Sequence, residues 1–347
     1  MNRKIVRLLL YAVFASTLSF TQERSVTIIG VGDIMPGTGY PSNYYLPPDD
    51  NCIELFRPVL TVLNDADLTF GNLEGCFLDS GKVFKMCNDS TNCYAFRIPT
   101  RYAGCLKQAG FNLLSIANNH IYDFGPAGVS NTVQILDSLN IHFAGLLEKP
   151  TAIFTRDSIR YGFCAFSPFT GSCDILDTLT AKRIVKELAD VCDIVILSMH
   201  AGGEGKGYEH VVREMEIFLG EERGNTYRFA HAMIDAGADI IFGHGPHVTR
   251  AVELYKDRLI CYSLGNFCTY ARFNLRGSNG VAPIIQADLD KKGRFLSGKI
   301  TAIKQEGEGG PVIDPEGRAI TEIQKLIKTD FKEINLLITN SGMIQRK

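Results

Sequence analysis

Short apolar segments alternate with longer amphipathic segments through roughly the first 250 residues of the chain. The apolar segments are rich in β-branched residues and have the length of buried strands: 26–32, 66–70, 112–116, 193–198 and 239–242. Amphipathic segments predicted to be helices lie at 53–63, 102–109, 127–139, 179–191 and 226–236. Strands that alternate with helices favour an α/β fold in which helices pack on a mostly parallel sheet.

The pattern changes after Arg250, where strand-like segments follow one another without intervening helices. These segments are 251–255, 259–263, 283–289 and 295–303, and tight turns join them. The sheet is therefore predicted to gain antiparallel strands toward the C-terminus. The 347 residues, 45% of them hydrophobic, can build one large α/β core.

The N-terminus has the order of a secretory signal peptide. Arg3, Lys4 and Arg7 precede an apolar stretch at 8–20, which is shorter than the roughly 20 residues a membrane-spanning helix needs. We predict a signal peptide at 1–22 and one domain at 23–347, exported to the periplasm or cell envelope. The alternatives are an uncleaved anchor, which would hold the protein at the membrane, and a buried helix.

The ten cysteines invite disulfide bonds in an exported chain. Cys87 and Cys93 flank a polar loop, so we predict a bridge between them. Cys52 and Cys76 are a second candidate pair. Three other cysteines lie inside apolar runs and are predicted to be buried thiols: Cys164, Cys192 and Cys261.

Polar side chains that can bind metals occur where the predicted strands end. In an open α/β sheet, ligands bind beyond the carboxyl ends of the strands, so these residues should meet at one edge. The predicted metal ligands are Asp33, Glu74, Asn119, His200, His244 and His247. Nitrogen and oxygen donors together favour manganese, iron or zinc over magnesium or calcium. We therefore predict one or two divalent transition-metal ions.

Charge suggests how the predicted site would work. Glu74 is the predicted bridging carboxylate, because two cations need shared negative charge between them. Two carboxylates against two dications leave excess positive charge, which favours an anionic substrate and an ionised water. The formal net charge of the chain is −2 and no long basic run occurs, so nucleic acid is not an expected partner.

Several neighbouring residues are predicted to support the site. His120 is the candidate acid or contact to a reacting oxygen, and Asp123 would orient it. Asn72 and Glu204 are predicted to support the ligands, Glu204 acting on His200. The other three histidines are expected to be structural: His142, His210 and His231. The acidic segment at 214–222 is expected on a solvated helix or loop.

Seven short motifs together resemble the capsule-synthesis CapA family (poly-γ-glutamate capsule), which is similar to calcineurin-like metallophosphoesterases. They lie at 32–35, 72–74, 118–120, 200–204, 235–239, 243–247 and 263–267, within a core of about 26–270. The resemblance implies a metallophosphatase-like two-sheet sandwich flanked by helices. It also implies a role in making or exporting an anionic polymer, with an anionic polymer or phosphate-containing substrate and envelope polymer-synthesis proteins as partners.

Three of the motifs depart from the patterns usual in the wider superfamily or in the family. Met35 stands where the wider superfamily usually carries a histidine, and Asn72 and Glu74 stand where it has an aspartate. Ala201 replaces an aromatic residue that many family members carry. Two functions follow as hypotheses: a metal-dependent hydrolase or transferase acting on a phosphoester or a γ-glutamyl amide, or a non-catalytic scaffold for polymer export.

Overall fold

The computed structural model describes residues 25–86, 93–333 and 335–347. The predicted signal peptide at 1–22 lies outside these residues. Within the described ranges, the protein has no helix of the length and apolar character that crossing a membrane requires.

Twenty strands occur in the described residues, and most of the long ones are buried along their length. They are β1 Val26–Met35, β2 Leu68–Leu73, β3 Cys76–Phe77, β4 Arg97–Ile98, β5 Leu113–Ser115, β6 His142–Ala144, β7 Thr151–Arg156, β8 Ile159–Phe166, β9 Ile194–His200, β10 Glu216–Phe218, β11 Glu221–Gly224, β12 Ile240–His244, β13 Val252–Tyr255, β14 Arg258–Cys261, β15 Asn266–Thr269, β16 Val281–Leu289, β17 Phe295–Lys304, β18 Val312–Ile313, β19 Leu336–Ile338 and β20 Met343–Arg346.

Seven α-helices accompany these strands in the described residues. They are α1 Ile53–Phe56, α2 Leu60–Leu63, α3 Tyr102–Gln108, α4 Gly125–Ser138, α5 Thr178–Ala189, α6 Thr226–Ala236 and α7 Arg318–Asp330. Helix α6 has the predicted bounds, because the Asn225 side chain caps its first turn and Gly237 ends it with φ of 116°. The predicted helix at 53–63 is wrong as one helix. Pro58 lacks an N–H, and a 3₁₀ turn at Arg57–Val59 separates α1 from α2.

Two large sheets form the framework. The first has the order β19-β20-β17-β16-β1-β2-β5-β6, with β15 paired to β1 and β18 to β17. The second has the order β13-β14-β12-β9-β8-β7. In the first sheet, β1, β2, β5 and β6 form a parallel half and the C-terminal strands β16, β17, β20 and β19 form an antiparallel half. In the second sheet, β14, β12, β9 and β8 are parallel, and antiparallel strands β13 and β7 lie at its two edges. The α/β class and the late antiparallel strands are confirmed.

The two sheets pack face to face through aromatic side chains. The ring of Phe70 on β2 stacks on that of Phe242 on β12, with 5.1 Å between centroids. Gly30 on β1 allows this close approach, since a Cβ there would lie 2.2 Å from the Phe242 ring. Helices α5 and α6 pack together beside the second sheet, and α3 and α4 contribute buried residues to the core beside the first. The molecule is therefore a two-sheet sandwich flanked by helices.

Some elements were absent from the sequence prediction. The hairpin of β7 and β8 turns at Asp157 and Ser158, whose φ angles of 49° and 66° suit a two-residue hairpin turn without the usual glycine. The hairpin of β10 and β11 replaces the predicted solvated helix or loop at 214–222. Helix α7 was also missed.

The cysteines pair differently from the second prediction. Cys52 bridges Cys105 on α3, with the two α-carbons 6.2 Å apart. The proposed Cys52–Cys76 bridge is therefore wrong, and Cys76 is a free buried thiol on β3. Cys93 is disulfide-bonded, whereas its predicted partner Cys87 lies outside the described residues. The remaining predicted thiols are free: Cys164 and Cys261 are buried, and Cys192 is half-buried.

Candidate metal centre

Two fully buried carboxylates, Asp33 and Glu74, lie where the sheets meet. Asp33 lies near the C-terminal end of β1, beside Asn72 on the parallel strand β2. His200 ends β9 directly opposite His244 at the end of β12. Donor atoms of Asp33, Glu74 and His200 all lie within 4.8 Å of one another. The predicted convergence of strand ends thus occurs for these residues.

The tight segment 244–247 places both its imidazoles against Asp33. His247 Nδ1 lies 2.9 Å from Asp33 Oδ2, and His247 Nε2 lies 3.7 Å from Glu74 Oε1. His244 Nδ1 lies 3.2 Å from Asp33 Oδ1 but outside the direction of a hydrogen bond. The turn requires left-handed backbone at Gly245 and at His247, whose φ angles are 105° and 57°. Asp33 therefore contacts both imidazoles of this segment, one through each carboxylate oxygen.

Asn72 holds the two carboxylates together. Its Nδ2 donates to Asp33 Oδ1 and to Glu74 Oε2, both at 2.9 Å, and lies 3.3 Å from His200 Nδ1. Asn118 Nδ2 donates to Asn72 Oδ1 at 3.1 Å, which fixes the orientation of that amide. Asn118 had no role in the sequence prediction, although it lies in the motif at 118–120.

We call the six predicted ligands the candidate centre: Asp33, Glu74, Asn119, His200, His244 and His247. Four of them carry a buried donor atom with no hydrogen-bonding partner among the described residues: Glu74 Oε1, Asn119 Oδ1, His200 Nε2 and His244 Nε2. Buried polar atoms normally have partners, so these unpaired atoms are consistent with a site for a bound cation. The mixture of imidazole, carboxylate and amide donors fits a divalent transition metal. The assignment of each residue as a ligand remains a prediction.

Burial and neighbouring charge shift the acid–base behaviour of the centre. Burial would raise the pKa of Asp33, but the adjacent His244 and His247 hold it well below its usual value. Burial, reinforced by the charge of Asp33, raises the pKa of Glu74 well above its usual value. Burial lowers the pKa of His200 well below its usual value, so His200 has the neutral form that binds metals.

His247 behaves differently from His200. Burial would lower its pKa, yet the nearby carboxylates of Glu74 and Asp33 raise it to about 10. Without a metal, His247 is therefore protonated, and its positive charge lies beside the carboxyl groups of Asp33 and Glu74. A bound cation would take over that charge and release the proton, because ligating imidazoles must be neutral.

His120 and Asp123 form the predicted pair beside the centre. His120 Nδ1 lies 2.7 Å from Asp123 Oδ2, which also accepts a hydrogen bond from the Phe96 main chain. His120 Nε2 points to the other side and lies 4.0 Å from Glu74 Oε1. Lys85 Nζ lies 3.2 Å from Asp123 Oδ1. Sequence reasoning missed Lys85, because its segment shows no strand or helix period.

The expectation that Glu204 supports His200 is not met. Glu204 Oε1 instead accepts from Arg223 Nη1 at 2.7 Å. The Arg223 guanidinium lies over the ring of Phe169, 4.8 Å from its centroid, and that ring lies 5.9 Å from the ring of His200. Arg223 lies on β11 and binds the Glu204 carboxylate. The acid-rich sequence around Arg223 does not predict this pairing.

A buried ion pair is hydrogen-bonded to the segment that follows His200. Arg250 is fully buried, and its Nη1 and Nη2 donate to the two carboxylate oxygens of Glu216 at 2.8 and 2.7 Å. Arg250 Nε donates to Tyr208 O at 2.7 Å, and Glu216 Oε2 accepts from Gly203 N at 3.0 Å. The predicted solvated position of Glu216 is therefore wrong. The pair ties the β10–β11 hairpin to the segment that follows His200.

The remaining sequence predictions concern residues outside the centre. Met35 is fully buried in the hydrophobic cluster that contains Ile34 and Phe267. Each of the three histidines expected to be structural has its own contact: His142 stacks on Phe154, His210 Nδ1 lies 2.7 Å from Asp330, and His231 Nε2 lies 2.9 Å from Glu253.

The geometry defines a class of protein, a two-sheet α/β sandwich with a buried acid–imidazole cluster in which Asp33, Glu74 and His200 form a possible metal site. A family model described as the bacterial capsule synthesis protein PGA_cap matches residues 27–271. The chain belongs to this family. The match covers all six residues of the candidate centre.

Relatives with assigned names agree with the family. The chain is 28% identical over 319 residues to the capsule biosynthesis protein CapA of Bacillus anthracis, covering 84% of this chain and 70% of that protein. It is 25% identical over 258 residues to the PGA biosynthesis protein CapA of Bacillus subtilis strain 168, covering 68% and 61%. The chain thus spans less than two thirds of the second relative.

Solved structures of similar fold are more distant. A hypothetical protein from Thermus thermophilus has a TM-score of 0.48 at 16% identity, covering 81% of this chain and all of that one. A putative 5′-nucleotidase from Staphylococcus aureus has a TM-score of 0.48 at 15% identity, covering 88% of this chain and 58% of that one. We infer no activity from these likenesses.

Proposed function

We propose that the protein is a metal-dependent hydrolase or transferase that acts on an anionic polymer, or on a phosphate-containing precursor of one, at the cell envelope. The observation that carries this proposal is the convergence of buried donor atoms without partners at the candidate centre. A purely structural cluster would not require such atoms, because buried polar groups without partners destabilise a fold. The family and the capsule relatives supply the polymer context.

The residues have distinct parts in this proposal. Asp33, Glu74 and His200 would hold the cation, and Asn72 keeps the two carboxylates in place by donating to both. A divalent ion held there would supply electrophilic activation of an ester or amide group. In the hydrolysis, a water oxygen bonds to the phosphorus or the carbonyl carbon, and the ester oxygen or amide nitrogen leaves with a proton.

His120 is the residue placed to deliver that proton. Its Nδ1 is fixed by Asp123, so Nε2 is the atom left facing Glu74 and the centre. Burial lowers the pKa of His120 below its usual value, which favours the neutral imidazole between turnovers. A neutral imidazole can accept a proton from water and return it to the leaving atom.

A non-catalytic scaffold is the second candidate, and Met35 is the observation that favours it. Met35 lies at the position where phosphoesterases usually carry a histidine, and it is packed in the hydrophobic cluster described above. A centre with fewer ligands would bind metal and organise the envelope protein without turnover. In that case the partners would be polymer-synthesis proteins of the envelope.

Export is part of the proposal and rests on the sequence of the first 22 residues. We propose that this segment directs the chain out of the cytoplasm. Disulfides can form in the oxidising compartment that the chain then enters. Peptide mapping of protein secreted by a bacterial host would test it, since the mature N-terminus should then begin near residue 23. A mature chain that retains Met1 would contradict cleavage.

Metal content and turnover measured together test the proposed activity. Purified protein should bind one or two manganese or zinc ions per chain, and should hydrolyse a p-nitrophenyl phosphodiester or a γ-glutamyl p-nitroanilide. His247→Ala should lose at least one metal ion, and His120→Asn should keep the metal but lose most turnover. His231→Asn, outside the centre, is the matched control and should change neither.

Three results would decide between the hypotheses. Metal-free wild type that takes up no manganese or zinc contradicts the centre itself. Metal binding without turnover on either substrate contradicts the enzyme and leaves the scaffold. If His120→Asn keeps its turnover, only the role proposed for His120 is contradicted.

A further inference from the structure

An aromatic wall borders the candidate centre on the side of His120 and His247. The ring of Phe96 lies 4.2 Å from that of His120, and the ring of Phe273 lies 5.4 Å from that of His247, measured between centroids. Phe96 and Phe273 stack on each other at 5.1 Å. The loop after β15 thus carries a side chain that touches the centre.

The neighbouring residue in that loop, Arg272, lies between two tyrosines. Its guanidinium carbon is 4.7 Å from the ring centroid of Tyr45 and 4.9 Å from that of Tyr94. Tyr94 lies beside Phe96, with 6.4 Å between their rings, so Arg272 adjoins the aromatic wall. The guanidinium is flanked by aromatic rings, a favourable arrangement for a cation.

The edges of the same guanidinium have no polar partner among the residues that the structure describes. Arg272 Nε is buried without a hydrogen bond, and the side chain makes no ion pair with any residue of the described chain. Other cations near the centre are used differently. Lys85 pairs with Asp123, Arg223 with Glu204 and Arg250 with Glu216. Within the described chain the Arg272 side chain is therefore unpaired, and because Nε is buried, Nη1 and Nη2 are its donors for a ligand.

We propose that Arg272 binds an anionic group of the substrate, a carboxylate or a phosphate, next to the group that reacts at the candidate centre. The planar guanidinium matches both anions through two parallel hydrogen bonds. Contact with the rings of Tyr45 and Tyr94 restricts the side chain before binding, so little freedom is lost when an anion binds. Phe273 and Phe96 would pack against the apolar part of the substrate that joins the two groups. This inference rests on the proposed function for the identity of the reacting group.

Equilibrium binding tests the inference without turnover. Tri-γ-glutamate and inorganic phosphate are titrated by calorimetry into full-length mature protein, both metal-loaded and metal-free. The counterpart without carboxylates is the same peptide with its α-carboxylates and its terminal γ-carboxylate amidated. Arg272→Met should weaken binding of the charged peptide about tenfold, and the amidated peptide should bind weakly to both proteins. Arg276→Met is the matched control, because it removes an exposed arginine from the same loop, and should change affinity less than about twofold.

Arg272→Lys covers the case in which Arg272→Met fails to fold. Lysine keeps the charge between the tyrosines but loses the two parallel donors, so affinity should fall severalfold with an unchanged melting temperature. A loss of affinity for phosphate alone supports the inference and identifies the anion as a phosphate. Equal affinities for wild type and both Arg272 variants, or no binding of either anion by wild type, would overturn it. If the Arg272 variants bind the anion more weakly and wild type shows no turnover, the binding role of Arg272 is supported and the proposed reaction is rejected.

Discussion

The protein buries two polar clusters that differ in how completely their atoms are paired. In the ion pair, the Arg250 and Glu216 side chains use both carboxylate oxygens and all three guanidinium nitrogens. In the candidate centre, atoms of Glu74, Asn119, His200 and His244 are buried without hydrogen bonds to the described residues. The two clusters are joined by one segment, since the Gly203 main chain donates to Glu216 and follows His200 closely.

The contrast indicates different roles for two clusters of similar burial. A fully paired buried cluster contributes to the folded structure, and removing one partner leaves a charge without compensation. A buried cluster with unpaired donors is costly by itself and gains its stability from a bound cation. Breaking the ion pair should therefore destabilise the protein. Removing a carboxylate from the candidate centre should instead stabilise the metal-free protein and weaken metal binding.

The largest effect is expected at the ion pair. Arg250→Met should lower the free energy of unfolding of the metal-free protein by about 3–5 kcal/mol, because Glu216 stays buried without its partner. Urea denaturation followed by circular dichroism measures the change. Arg183→Met removes half of an exposed pair with Glu187 and should cost less than about 1 kcal/mol. A loss below about 1 kcal/mol for Arg250→Met would erase the contrast.

An intermediate effect is expected at the centre, with the opposite sign in metal-free protein. Burial and Asp33 raise the pKa of Glu74, so its carboxyl group costs folding stability at neutral pH. Glu74→Gln removes this cost and keeps the side-chain shape, so metal-free protein should gain about 1 kcal/mol. Wild type should gain about 2.7 kcal/mol when free manganese reaches about one hundred times its dissociation constant, and Glu74→Gln far less. The same urea denaturation, with chelator and with manganese, measures both quantities. Destabilisation of metal-free Glu74→Gln by over about 2 kcal/mol would make the centre a structural cluster like the ion pair.

A smaller effect is expected at Asn72, which contacts the centre through its amide. Asn72→Ala removes the donor shared by Asp33 and Glu74. Metal affinity should fall by about 10- to 100-fold, the usual effect of losing a residue that orients ligands. Competition with a metal-binding dye measures the affinity. Asn131→Ala is the control. It removes a half-buried amide on helix α4 that donates to Phe77 O, and it should leave metal affinity unchanged. Equal metal affinities for Asn72→Ala and wild type would contradict the orienting role of Asn72.

The sequence determined the buried strands β1, β2, β5, β9 and β12 and the residues at their ends. Burial of a strand and the polarity of its end are local properties. The sequence alone therefore places Asp33, His200 and His244 at the carboxyl-end edge of the strands. The close spacing of His244 and His247 likewise predicted that both imidazoles would lie together. The amphipathic pattern predicted helix α6 with its bounds, and in the structure Asn225 and Gly237 cap the two ends of that pattern.

Tertiary structure decided which distant side chains pair. Arg250 and Glu216 are 34 residues apart, and Cys52 and Cys105 are 53 apart. Glu204 could have served His200, but the packing of the β10–β11 hairpin brought Arg223 to it instead. Arg272 lies in a loop without a periodic pattern, and only the folded chain places it between Tyr45 and Tyr94. Local pattern fixes which residues are buried or end a strand, whereas charge pairing depends on three-dimensional distance, which sequence spacing does not determine.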